Sequence, residues 1–114
     1  MYRDEWIYVA HMLEMSQKAI DLTEGLDRYE YDQDETLRLA LTHLVQVIGE
    51  AAQRVSPEFR LQHPDIPWKE IIGMRHRIVH DYLNVDEDVI WEVVQQDLPL
   101  LVDELAKIVP HEQE

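Results

Sequence analysis

The apolar residues of this chain recur at alternating steps of four and three, and that spacing constrains the fold more than any other feature. Leu37, Leu41, Leu44, Ile48, Ala51 and Val55 step 4-3-4-3-4. Tyr8, Met12, Met15, Ala19, Leu22 and Leu26 repeat the same pattern. Such a period places one side of a helix against a core, and no segment shows the strict alternation of a half-buried strand. The first helix is expected from about Asp4, a capping residue, to the stop at Gly25. A second stripe beside the first (Trp6, Val9, Ala10, Leu13, Gln17, Ile20) widens its apolar face, as suits a central helix or one that also packs in a dimer. An acidic connection over 25–34 leads to the second helix. Ser56-Pro57-Glu58 starts a short helix ending near Gln62. Pro64-Asp65-Ile66-Pro67 breaks the chain, and Pro67 opens a third helix running to about His80. Asp86-Glu87-Asp88 marks the start of a last helix through about Val109, with Ile90, Val94, Leu98, Leu101, Leu105 and Ile108 on one side. Pro99 should bend or locally break it. The expected fold is an all-α bundle of four main helices plus a short one, with residues 1–114 forming a single domain.

Charge decides where chemistry could sit. Ten basic and 24 acidic residues among 114 give a net charge of −14. As a total, this opposes nucleic-acid binding, which depends on lysine and arginine meeting phosphates. The sum conceals a division: residues 1–36 carry 3 − 10 = −7, residues 37–82 carry 6 − 5 = +1, and residues 83–114 carry 1 − 9 = −8. Four of the six histidines (His43, His63, His76, His80) also fall in the middle segment, so an anion-binding surface has one place to be. The absence of cysteine removes disulfides, thiolate metal sites and a cysteine nucleophile. No apolar run approaches the ~18 residues needed to span a bilayer, and the acidic N-terminus does not read as a signal peptide. A cytoplasmic protein without membrane contact is expected.

Met74-Arg75-His76-Arg77-Ile78-Val79-His80-Asp81-Tyr82 is the densest concentration of reactive groups. Histidine exchanges protons near neutrality, and arginine is a fixed cation whose fork matches phosphate oxygens. Metal-free RNA cleavage needs both: a base for the ribose 2′-OH, an acid for the departing 5′-oxygen, and cations for the charged phosphorane. On one continuous helix, however, Arg75 and His80 would lie about 140° apart. They would converge only if the helix ended near His80 or a second chain contributed across a two-fold axis. An ordinary basic helix end explains the same residue types. His76 and His80, spaced i, i+4, could in principle share a metal, but Arg75 and Arg77 would repel it and no HExxH pattern is present. No metal or cofactor is expected. His43, His63 and His111 are assigned no chemistry. The three glycines stand apart, so there is no glycine-rich phosphate loop.

Arg75-x4-His80-x-Tyr82 matches the RxxxxHxY signature of HEPN-domain proteins, and the chain more narrowly resembles the HepT-like (DUF86) family. The resemblance extends through Ile48-Gly49-Glu50-Ala51-Ala52, Ser56-Pro57-Glu58-Phe59-Arg60, His63-Pro64-Asp65-Ile66-Pro67-Trp68, Ile72-Gly73-Met74-Arg75, Asn84-Val85-Asp86 and Gln96-Asp97-Leu98-Pro99. It implies a HEPN-type helical bundle that forms a homodimer with its two motifs facing each other. It implies a metal-independent endoribonuclease, the toxin of a type VII toxin–antitoxin pair, whose partners are RNA and an MNT-type nucleotidyltransferase antitoxin, with neither DNA nor membrane. By the same resemblance, Arg75 and His80 form the catalytic pair and Tyr82 accepts AMP from the antitoxin. His76, where relatives often carry Asn or Asp, and Arg77 are candidates for supporting or RNA-contacting roles. The competing expectation is a non-catalytic, nucleotide-binding partner subunit of a minimal nucleotidyltransferase.

Overall fold

A computed structural model describes residues 2–81 and 84–109, with the side chains of 5–74, 76–78 and 85–109. Helix α1 spans Tyr2–Thr23. It begins two residues before Asp4, which therefore sits in the first turn, where an acid suits the positive end of the helix dipole. It stops at Gly25, whose φ of 81° is the left-handed conformation that glycine adopts without steric cost. The connection that follows is not wholly irregular, for it contains α2 (Arg28–Gln33). Asp27 and Glu30 close a capping box there, each carboxylate accepting from the other's backbone N–H at 2.8 and 2.9 Å. Helix α3 (Glu35–Arg54) is capped by Asp34, which accepts from the Leu37 N–H at 3.0 Å. It buries Leu37, Leu41, Leu44, Ile48 and Ala51, the expected stripe. Helix α4 (Pro57–Gln62) starts as its Ser-Pro-Glu signal requires, with Ser56 accepting from the Phe59 N–H.

The third expected helix is divided. Helix α5 covers Trp68–Ile72, one residue after Pro67, and α6 covers Met74–Ile78. The chain then extends into β1 (Val79–Asp81), which pairs antiparallel with β2 (Asn84–Val85). This two-residue register, Val79 with Val85 and Asp81 with Asn84, is the one departure from helix and loop among the described residues. The fold class is all-α, as the spacing predicts.

The last helix is α7 (Glu87–Glu92), a π-helical segment (Val93–Asp97) and α8 (Leu98–Ile108), continuous in backbone direction. Pro99 has no N–H, and its ring collides with the carbonyl four residues back in a regular helix. Here Leu98 donates to the Val93 carbonyl five residues back, and the wider turn absorbs one extra residue in place of a break. The apolar pattern needs this. Ile90 and Leu98 are eight residues apart, about 80° past two full turns of an ideal helix; removing one residue from the count leaves them about 20° short. Both are buried on the core.

Helix α1 packs against α3 on one flank and α8 on the other, so its wide apolar face is accounted for within one chain. Its fully buried line is Val9, Met12, Ser16 and Ala19, followed by the nearly buried Thr23. Tyr31, Leu41, Ile48, Ile78, Leu98 and Leu105 complete the centre. Each such side chain contributes about 1.5–3 kcal/mol on burial. A smaller aromatic cluster ties α4 to its neighbours: Trp6 meets Phe59 edge-on at 5.0 Å, and His63 lies 4.6 Å from Phe59. No helix among the described residues is long and apolar enough to cross a membrane.

Candidate functional site

The motif occupies a helix end that is closed quickly and then fastened down. Gly73 caps α5 by donating to the Lys69 carbonyl at 3.0 Å, and its own carbonyl accepts from His76 and Arg77 to start α6. A Cβ on residue 73 would stand 3.2 Å from the Lys69 carbonyl oxygen, so glycine permits the two helices to join this tightly. Helix α6 gives way after Ile78 to β-branched Val79, which favours extended backbone. Asp86 donates its N–H to the Ile78 carbonyl at 2.6 Å, which closes the hairpin behind the motif. Asp86 then caps α7 by accepting from Val89 at 3.2 Å.

The acids that follow are held by α2 and α3. Tyr31, fully buried, donates its hydroxyl to Glu87, and Arg38 approaches the same carboxylate at 3.8 Å. Burial first, and then the bond to Glu87, keep the Tyr31 hydroxyl far above its usual pKa, so it remains a donor. Arg28 bridges Asp32 at 2.8 Å and Asp88 at 2.7 Å. The segment after the motif is thus tied to both preceding helices.

Within this frame Arg75 is the second residue of α6 and His80 the central residue of β1. They do not share a continuous helix, because the helix ends at Ile78. The first of the two conditions for their convergence, an early helix end, is therefore met by the backbone. Tyr82 and His111 lie outside the described residues. His76 is exposed on α6. With His80 on a strand, the helical i, i+4 geometry that would let His76 and His80 share a metal does not exist. Among the described residues no group of three or more histidine and carboxylate side chains is placed to hold a metal ion. His43 faces solvent on α3, and His63 belongs to the aromatic cluster.

Arg77 is not simply a free cation. Its Nη1 lies 3.8 Å from Asp97 Oδ2, at the end of the π segment. Burial raises the Asp97 carboxyl above its usual range against the opposing pull of Arg77. Both residues line a cavity of about 310 Å³ between α5–α6 and α8. Sequence reasoning missed Asp97 and Glu87 as neighbours of the motif helix. The proline two residues beyond Asp97 was the available sign that the backbone there is special. For Glu87 the sequence offers no sign, since its partner Tyr31 is 56 residues away.

Comparison with known proteins identifies the family. The family model for ribonuclease HepT-like proteins matches residues 12–108. A protein of Methanocaldococcus jannaschii, provisionally named an RNase, is 30% identical over 90% of this chain and 94% of its own. One of Caldanaerobacter subterraneus, named likewise, is 32% identical over 92% of this chain and 94% of its own. A third, from Thermococcus cleftensis and provisionally named ribonuclease HepT, is 33% identical over 84% and 91%. No solved structure matches the chain. A match that begins midway along α1, includes the motif hairpin and ends with α8 leaves little of the fold outside it: the chain is a member of the ribonuclease HepT-like family.

Proposed function

We propose that this chain is a metal-independent endoribonuclease acting as the toxin of a type VII toxin–antitoxin pair, with Arg75 and His80 as its catalytic residues. The observation that carries the reading is the end of α6 at Ile78, which takes His80 off the helix that bears Arg75. On one unbroken helix the two would face different ways. In a homodimer with the two motifs facing, one His80 removes the 2′-OH proton while the other protonates the 5′-oxygen. The 2′-oxygen attacks phosphorus, the P–O5′ bond breaks, and the products are a 2′,3′-cyclic phosphate and a 5′-hydroxyl. The two Arg75 guanidiniums stabilise the extra charge on the phosphorane. His76 and Arg77 support the strand or its binding. AMP transferred to Tyr82 by an MNT-type nucleotidyltransferase would place a bulky anion beside this phosphate site and repel RNA.

Purified protein should cleave single-stranded RNA in the presence of EDTA, and Arg75→Ala or His80→Ala should each reduce cleavage at least about 100-fold, the range of a lost general acid–base. Tyr82→Phe should keep its activity and escape silencing by nucleotide transfer. Absence of RNA cleavage, together with harmless expression without the antitoxin, would replace this reading with that of a non-catalytic partner subunit.

A further inference from the structure

The cavity between α5–α6 and α8 is lined mostly by apolar and acidic side chains, and of these only Arg77 has a part in the proposed RNA site. Its floor is Ile71, Met74, Leu98 and Leu101, each at most 4% exposed. At its mouth Leu100 is 67% exposed, an aliphatic side chain left to water. Around it stand Asp65, Glu70, Asp97 and Glu104, against two cations, Arg77 paired with Asp97 and Lys107 paired with Glu104. A phosphate chain is repelled by such a rim. About 310 Å³ lies at the lower limit for a small-molecule site and suits one or two inserted side chains.

We propose that this cavity is a docking site for a basic, amphipathic segment of a partner protein: an apolar side chain inserted between Met74 and Leu101, with flanking lysine or arginine on the carboxylate rim. Charge complementarity selects this occupant, because an uncharged apolar segment would leave the rim with four carboxylates against two cations and bring no charge to Asp65 and Glu70. The docked segment touches α6, the helix that carries Arg75, and competes with Arg77 for Asp97. The proposal stands whether or not Arg75 and His80 cleave RNA.

The test uses the full chain. A displayed library of random dodecapeptides is panned against it, and the enriched peptides are synthesised and titrated into isotope-labelled protein by NMR. Peptides combining lysine or arginine with aliphatic residues should be enriched, and should shift amides within 65–77 and 97–104 in a saturable manner. A variant carrying Glu70→Lys, Glu104→Lys and Leu100→Ser, all exposed or partly exposed positions, should bind them at least about tenfold more weakly. A control with two charge reversals elsewhere, Glu14→Lys and Glu24→Lys, should bind within about twofold of wild type, well inside one decade of affinity. Equal weakening by the control would overturn the proposal and reveal diffuse attraction to an acidic surface. So would shifts spread over the molecule, enrichment of peptides without basic residues, or no enrichment at all.

Discussion

Replacing Tyr31 with phenylalanine tests how the segment behind the motif is held. The ring is fully buried and sits 5.1 Å from Trp91. Phenylalanine keeps that packing, so the variant loses the hydroxyl and its bond to Glu87 and little else. A hydrogen bond to a charged acceptor contributes about 1.5–3 kcal/mol. The lower figure applies, because Glu87 retains Arg38 and its side chain is 33% exposed, so water can replace part of the loss. A loss of about 1.5 kcal/mol is roughly tenfold in the unfolding equilibrium and, for a chain of this size, roughly 5–8 °C in Tm. The pH dependence sharpens the test. The folded state holds the Tyr31 hydroxyl above its unfolded value, chiefly by burial. Its stabilisation is therefore fully present below about pH 10 and is lost as the unfolded tyrosine ionises above it. One unit above that value removes about 1.4 kcal/mol from the wild type and nothing from Tyr31→Phe. Urea melts should show the two proteins well separated at neutral pH and nearly coincident by about pH 11. The Asp86 amide, which closes the hairpin, should exchange faster with solvent in the variant. A Tm change below about 1 °C, or a gap that does not narrow in alkali, would refute the account of this anchor.

Three further outcomes follow from local environments. Gly25→Ala should cost about 1 kcal/mol by denaturant melts, solely from the left-handed backbone, since a Cβ there meets nothing within 4 Å; an unchanged midpoint would contradict the assigned φ. Ser16→Ala should be neutral or stabilising by up to about 1 kcal/mol, because its buried Oγ has no hydrogen-bond partner among the described residues; a clear loss of stability would reveal one. Asp97→Asn should raise Tm slightly at neutral pH, since a carboxyl whose folded pKa is raised by partial burial destabilises the protein when ionised, and the half-exposed side chain leaves much of that effect screened by water. That advantage should shrink as pH falls through the raised folded value and vanish below about pH 3.9, where the unfolded aspartate is also protonated; a lower Tm at neutral pH would mean that the Arg77 pairing outweighs burial.

Much of the bundle is legible in the spacing of Leu37 to Val55 and in the Ser56-Pro57-Glu58 start, because periodicity and capping are local. The centre of α1 is less so. Its buried line passes through Ser16 and Thr23, and polar residues at core positions hide the true axis between two apparent stripes. Helix α2 was readable from Asp27-x-x-Glu30 as a capping box, but the acidity of the stretch disguised it as a loop. At the site, the residue types of the motif were legible, and the backbone beneath them was not. Ile71, Ile72, Met74, Ile78 and Val79 fit a continuous helix well, and the break after Ile78 depends on a hydrogen bond from Asp86, eight residues on. Apolar spacing does not carry that information, because a backbone-to-backbone bond leaves no mark in side-chain period.

The π turn also sets a phase relation between two parts of the molecule that have different anchors. Upstream, Tyr31 and Arg38 hold Glu87 and so fix the rotation of α7. Downstream, α8 is fixed by its packing on α1. The five residues Val93–Asp97 act as a vernier between these two settings. Deleting Gln96 would make the helix regular and leave Ile90 and Leu98 in phase, since seven residues of ideal helix also stop about 20° short of two turns; but Pro99 would then sit in a regular helix, its ring against the carbonyl four residues back. The shortened chain should be less stable than the parent despite its better helix. Replacing Pro99 with alanine in the shortened chain should restore its stability, because the phase between α7 and α8 is unchanged.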